Sequence, residues 1–248
     1  MILTVVIIVV IIIIIYLICF VKKTDLHQYR PIYNYAHIKD KLKTGDIVVF
    51  SCKKYNTLFC RLEYYFRTNF IGTEFGHSGI VLKLKDELYF VECTDKKYLC
   101  DKYAYKLNNF GKGGIRIVNF EKIIRQYQKD YNATFAVKFI SKEIPFRTIF
   151  KVLDDYKKIK FSKKSIAVLM FIIDMCISHQ IARKFFVDWY INKMICSQFV
   201  CDILNKCNVL ACYPPYLFWP PMIMDGTLDR ISIVKYSEPY KFIITDEL

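Results

Sequence analysis

A thiol at the head of a helix becomes a nucleophile when a histidine can reach it. The stretch Ile195-Cys196-Ser197-Gln198-Phe199-Val200-Cys201-Asp202-Ile203-Leu204 offers the thiol. Counted from Cys196, apolar residues fall at Phe199, Val200, Ile203 and Leu204, one face of a 3.6-period helix. Cys196 lies on that face in the first turn, where backbone N–H groups favour an anion and lower a thiol's pKa. Such a nucleophile also needs a base. The chain has only four histidines, His27, His37, His77 and His179. His77 opens the strand-like run after Phe75-Gly76, in the order Gly76-His77-Ser78-Gly79-Ile80. His179, between Asp174 and Arg183, reads as a surface helix position.

A third group follows from the hairpin that begins at His77. His77–Leu84 and Leu88–Cys93 are strand-like, joined by the polar turn Lys85-Asp86-Glu87. If Leu84 pairs with Glu87, Gly79 faces Glu92 and His77 faces Thr94. His77, Gly79 and Glu92 then share a sheet face, with Glu92 diagonal to His77 and no Gly79 side chain between them. A one-residue slip would send Glu92 to the other face. Thr94 and Asp95 are its substitutes as the group orienting His77, and a solvated strand residue is the plain alternative for Glu92.

The elements that must position these groups read as an α+β domain of five to seven strands with several helices. Gly45-Asp46 turns into the strand Ile47–Ser51, and Thr57–Phe66 reads as a short helix. Ile115–Val118 and Thr134–Ile140 are strands, with the helix Phe120–Gln128 between them. Pro145 opens a helix running to about Ile159. Ser165–Ile177 reads as an apolar core helix. Tyr213–Pro221 holds Pro214, Pro215, Pro220 and Pro221 and reads as an extended aromatic loop. Ile231–Tyr236 and Lys241–Ile244 close the sheet.

Composition bounds the rest. Of 248 residues, 54% are hydrophobic and 17% aromatic, too many for a disordered chain. Ile2–Val21 is broken only by Thr4 and Tyr16. Twenty helical residues span ~30 Å, so residues 1–21 are expected to form a transmembrane anchor. Lys22 and Lys23 follow it, which by the positive-inside rule puts the remainder on the cytoplasmic face. Ten cysteines without a CxxC pair fit that placement as buried thiols rather than disulfides or a zinc site. No metal and no cofactor is expected. The net charge of +14 suits a solvated surface, anionic lipid or nucleic acid. Lys39, Lys41 and Lys43 near the anchor favour lipid, and no nucleic-acid motif is present.

The order Gly45-Asp46 before a strand, then Gly76-His77-Ser78-Gly79-Ile80, then a strand with Glu92, then Cys196-Ser197-Gln198-Phe199-Val200 resembles one known group. It is the circularly permuted branch of the NlpC/P60 papain-like superfamily, with YiiX-like proteins, lecithin retinol acyltransferase-like enzymes and a poxvirus family. The resemblance covers residues 43–245. It implies a permuted papain-like fold, an antiparallel sheet or partial barrel with packed helices, carrying Cys196 as nucleophile, His77 as base and Glu92 as the residue orienting it. Residues 22–42 are expected as a juxtamembrane tether through Tyr29, Ile32, Tyr33 and Tyr35, residues 43–248 as the domain, and residues 145–190 as a helical insertion. The implied function is a cysteine hydrolase or acyltransferase acting on an amide, ester or thioester, held at a membrane by the anchor expected from Ile2–Val21, which is not a feature of that group. Its expected partners are membrane lipids and a lipid or peptide substrate, with Ile166–Ile177 and Tyr213–Pro221 as walls of an acyl groove. A catalytically inactive scaffold at a membrane is the alternative.

Overall fold

The computed structural model describes residues 32–53, 61, 64, 67–68, 73–94, 114–156, 160–161, 193–215 and 218–245. Its centre is β2 (Ile47–Ser51), five buried residues flanked on both sides by strands. An unbroken run of Ile, Val and Phe suits a strand covered on both faces. Residues alternate across it, so Ile47 and Val49 belong to one apolar cluster and Val48 and Phe50 to another.

Around β2 lie β1 (Ile32–Asn34), β3 (His77–Leu84), β4 (Glu87–Thr94), β5 (Gly114–Asn119), β6 (Thr134–Lys138) and β9 (Tyr240–Ile243). They form one seven-stranded sheet in the order β1-β9-β6-β2-β3-β4-β5. The short β7 (Lys160–Phe161) and β8 (Lys193–Met194) pair separately. β3 and β4 make the expected hairpin, Leu84 opposite Glu87 and Gly79 opposite Glu92. Lys85 takes the left-handed backbone that so tight a turn requires.

Helices cover both faces. On one side pack α1 (Ala36–Lys39), through Ile38, and α2 (Phe120–Tyr131), through Phe120, Ile123, Ile124 and Tyr127. The Asn119 side chain accepts the Lys122 N–H at 3.1 Å and so caps α2. On the other side pack α3 (Phe146–Leu153) and α4 (Cys196–Lys206), with Phe199, Val200, Ile203 and Leu204 against Ile80, Val91 and Ile117. The short α5 (Pro221–Met224) and α6 (Thr227–Ile231) follow.

Several expectations need correction. The sheet is mixed and open rather than an antiparallel sheet or partial barrel: β1 runs parallel to β9, and the strand order ends at β1 and β5 without closure. The expected antiparallel sheet or partial barrel is thus corrected to a mixed seven-stranded sheet with helices on both faces. Among the described residues no helix is long and apolar enough to cross a membrane. Ile2–Val21 lies outside the described residues, as do most of Thr57–Phe66 and all of Ser165–Ile177. Of the expected tether, the described residues 32–42 pack on the domain: Ile32–Asn34 pairs with β9, and Tyr35, Ile38 and Leu42 are buried. Ile231–Tyr236 makes only isolated bridges, Leu210 to Ser232 and Ile140 to Tyr236. There the Ser232 hydroxyl bonds the Val209 and Val234 carbonyls, a local alternative to a ladder. Within the expected aromatic loop, Pro221 instead starts a helical turn, as its fixed φ permits.

Candidate active site

The chain around His77 is shaped by two close approaches. Gly76 donates its N–H to the Phe50 carbonyl at 3.1 Å, locking the start of β3 to β2. The Arg67 guanidinium lies on Gly76 so closely that a Cβ there would sit 1.9 Å from its nitrogen. At Gly79 a Cβ would come within 2.4 Å of the Phe90 ring and 2.5 Å of the Val91 carbonyl oxygen. Only glycine allows both packings. His77 pairs with Phe50 of β2 rather than with Thr94, and its ring lies 4.6 Å from the Phe50 ring.

Glu92 reaches the imidazole as the hairpin register demands. Its Oε2 is 2.6 Å from His77 Nε2. Behind it stands a wholly buried assembly. Arg116, opposite Glu92 on β5, donates Nε–H to Oε1 at 2.8 Å and a second N–H to the same oxygen. The Tyr127 hydroxyl of α2 is 2.9 Å from both carboxylate oxygens and accepts from Arg116 at 3.0 Å. Burial alone would raise the Glu92 pKa. The Arg116 cation, with His77, outweighs it and holds the carboxyl down at about 2.

Cys196 enters from the other layer. It is the first residue of α4, whose preceding N–H, on Ile195, donates to Gln198 Oε1 at 3.1 Å. Half of a capping box thus sets the helix start, and Gln198 is committed to it rather than to an oxyanion. The Ser197 hydroxyl donates to the Phe218 carbonyl at 2.8 Å and ties α4 to the loop beyond. Cys196 Sγ lies 4.0 Å from the carbonyl oxygen of Gly76, the residue before His77, and is close enough to His77 and the Ser78 backbone for both to favour its thiolate. With Nε2 engaged by Glu92, Nδ1 is the ring nitrogen left for the thiol.

The electrostatics follow from these contacts. Burial opposes the thiolate, but His77, then the Ser78 backbone, pulls the Cys196 pKa below the ordinary thiol value. Burial likewise opposes the imidazolium, but the Cys196 thiolate and Glu92 hold the His77 pKa up at about 9. Each charge thus favours the other, thiolate beside imidazolium. On the same helix, burial pushes the Cys201 thiol up, and the neighbouring Asp202 adds to it. A lowered thiol pKa is thus not a general property of α4.

All three residues singled out from sequence are brought together. Sequence reasoning missed Arg116, Tyr127 and Ser78. The signal for Arg116 was present: it is the charged residue in the strand Gly114–Asn119, between Ile115 and Ile117. Asp95 lies outside the described residues, and Thr94 sits opposite Gly114 on β5. Along Tyr213–Pro221, Phe218 and Trp219 are buried, while Tyr213, Pro214, Pro215 and Pro220 are partly exposed. Among the described residues, no cluster of three or more His, Cys, Asp or Glu is arranged to hold a metal ion.

No family model matches the chain. It is 38% identical over 230 residues to an uncharacterized protein of Acanthamoeba polyphaga mimivirus, covering 92% of each chain.

Proposed function

The chain belongs to one family with that mimivirus protein, and we propose that it is a cysteine hydrolase or acyltransferase acting on an amide, ester or thioester. The observation that carries this reading is the relay from Cys196 Sγ to His77 and on, at 2.6 Å, to Glu92. The order of its motifs, histidine before cysteine, supports kinship of this site with the permuted NlpC/P60 papain-like group.

The Cys196 thiolate attacks the substrate carbonyl, forming a C–S bond. The oxyanion is met by the Cys196 N–H, which in the first turn of α4 has no intrahelical acceptor. His77 gives its Nδ1 proton to the leaving amine, alcohol or thiol, and an acyl-thioester remains. A water or a second nucleophile then loses its proton to His77 and attacks the thioester, releasing the acyl group and restoring the thiolate. Throughout, Glu92 holds the ring orientation and stabilises the imidazolium, the role a buried carboxylate has in such relays.

The runner-up is an inactive scaffold that keeps the thiol without using it. It is favoured by the burial of Cys196, which is 4% exposed. The rate of Cys196 alkylation by iodoacetamide against pH, with an acyl-directed thiol probe beside it, separates the two. A working site alkylates rapidly at pH 6, where an ordinary thiol of pKa ~8.5 is mostly protonated. His77→Ala then slows it roughly tenfold or more at that pH. Wild type and His77→Ala sharing one profile near the ordinary thiol value, with no probe labelling, would leave the scaffold reading.

A further inference from the structure

At the end of the sheet away from His77 lies an open cavity of about 470 Å³. Its floor is aromatic: Tyr240 is 5.7 Å from Tyr33 and 5.3 Å from Phe139, ring centre to ring centre. Its rim is basic, formed by His37, Lys41 and Lys43. No carboxylate lines it, although Asp40 and Glu238 are close in sequence. The Lys43 ammonium donates to the Ser141 carbonyl at 3.4 Å, and among the described residues His37, Lys41 and Lys43 make no side-chain ion pair within 4 Å. Four large hydrophobic residues are exposed among those described. Three of them, Ile32 (56%), Tyr33 (36%) and Tyr240 (37%), belong to the edge strand β1 and its neighbour β9, and the two tyrosines line this cavity.

Solvent-exposed tyrosines beside lysines are the side chains that settle at a lipid–water boundary. The rings sit among headgroups while the ammonium groups meet lipid phosphates and carboxylates. The chain enters this edge at Ile32, shortly after its most apolar stretch and Lys22-Lys23. We propose that the β1–β9 edge, with His37, Lys41 and Lys43, is a docking surface for an anionic lipid headgroup layer. This surface stands apart from the catalytic reading and does not depend on it. Five residues of β2, at about 3.3 Å each, separate the two ends of the sheet by roughly 17 Å.

The test uses the full chain with phosphatidylcholine vesicles, with and without phosphatidylserine, read by co-sedimentation and by amide hydrogen exchange. The wild type binds the anionic vesicles more tightly, and amides of residues 33–43 and 236–241 are slowed there. Lys41→Glu with Lys43→Glu, both at the solvent-facing rim, removes about tenfold or more of that preference and leaves neutral-vesicle binding and Cys196 alkylation as they were. Equal binding of the wild type to both vesicles overturns the proposal. So does a double variant that keeps the full preference, or protection confined to other segments. If a single-stranded or duplex oligonucleotide protects these amides where anionic vesicles do not, the surface is a nucleic-acid site and the lipid assignment fails.

Discussion

Two carboxylates are buried to 0% exposure at opposite ends of the sheet, Glu92 beside His77 and Asp46 at the start of β2. Asp46 is well bonded: Oδ2 accepts the Lys43 N–H and Oδ1 the Ile140 N–H, each at 2.8 Å. Even so, burial dominates and pushes its pKa up to about 7. Glu92, equally buried, is held at about 2 because Arg116 is beside it. Backbone donors reduce the cost of a buried charge, and a buried cation reverses its sign. Asp46 can therefore serve as a clamp between β2 and β6 whatever its charge, while Glu92 is kept ionised for His77.

Breaking that contrast has its largest effect at Arg116. Arg116→Met leaves Glu92 buried with His77 as its remaining cationic partner, and should cost about 3–5 kcal/mol in urea unfolding. The Cys196 alkylation profile should move to higher pH, since removing a positive charge destabilises the thiolate. Arg116→Lys, keeping the charge without the fork, should recover part of both. An unfolding midpoint and an alkylation profile both unmoved in Arg116→Met would show that the cation is not what separates the two carboxylates.

Asp46→Asn comes next and tests the other end. Between pH ~4 and ~7 the folded chain keeps a proton on Asp46 that the unfolded chain has released, so stability falls as pH rises through this window. Glu92 acts oppositely: its contribution is present above the unfolded pKa near 4.5 and is lost as pH falls toward 2. Asp46→Asn should therefore flatten the slope between pH 4 and 7, on the order of a few kcal/mol, and leave the acid limb in place. An unchanged slope in urea titrations would assign it to other groups.

The smallest effect is expected at Tyr127. Tyr127→Phe removes a neutral donor shared by both Glu92 oxygens and should cost about 1 kcal/mol, with Glu92 still ionised. A loss as large as that of Arg116→Met would mean that hydroxyl and guanidinium act as one unit.

Much of this site was legible from short-range pattern. The hairpin register followed from its turn and alternation, and with it the meeting of Glu92 and His77. The α4 start followed from its 3.6 period. Arg116 and Tyr127 were not found, because their role depends on which strand lies beside β4 and which helix covers it. Neighbours across a sheet leave no periodic mark on either segment. The same limit hid the parallel β1–β9 pair: three residues from Ile32 carry too little pattern to announce a strand.

That pair has a consequence in time. β9 lies between β1 and β6, although it is the last of the sheet strands to be synthesised. Until Tyr240–Ile243 leave the ribosome, Ile32–Asn34 has no partner strand, and one edge of β6 stands bare. Some two hundred residues separate β1 from its partner, which at about 5–20 residues per second is a wait of roughly 10–40 s. During that wait the chain can already form β2, β3, β4 and the relay from Cys196 to Glu92. The His77 end of the nascent chain can thus assemble while its β1 end is still open, and that end is where a chaperone would find exposed strand.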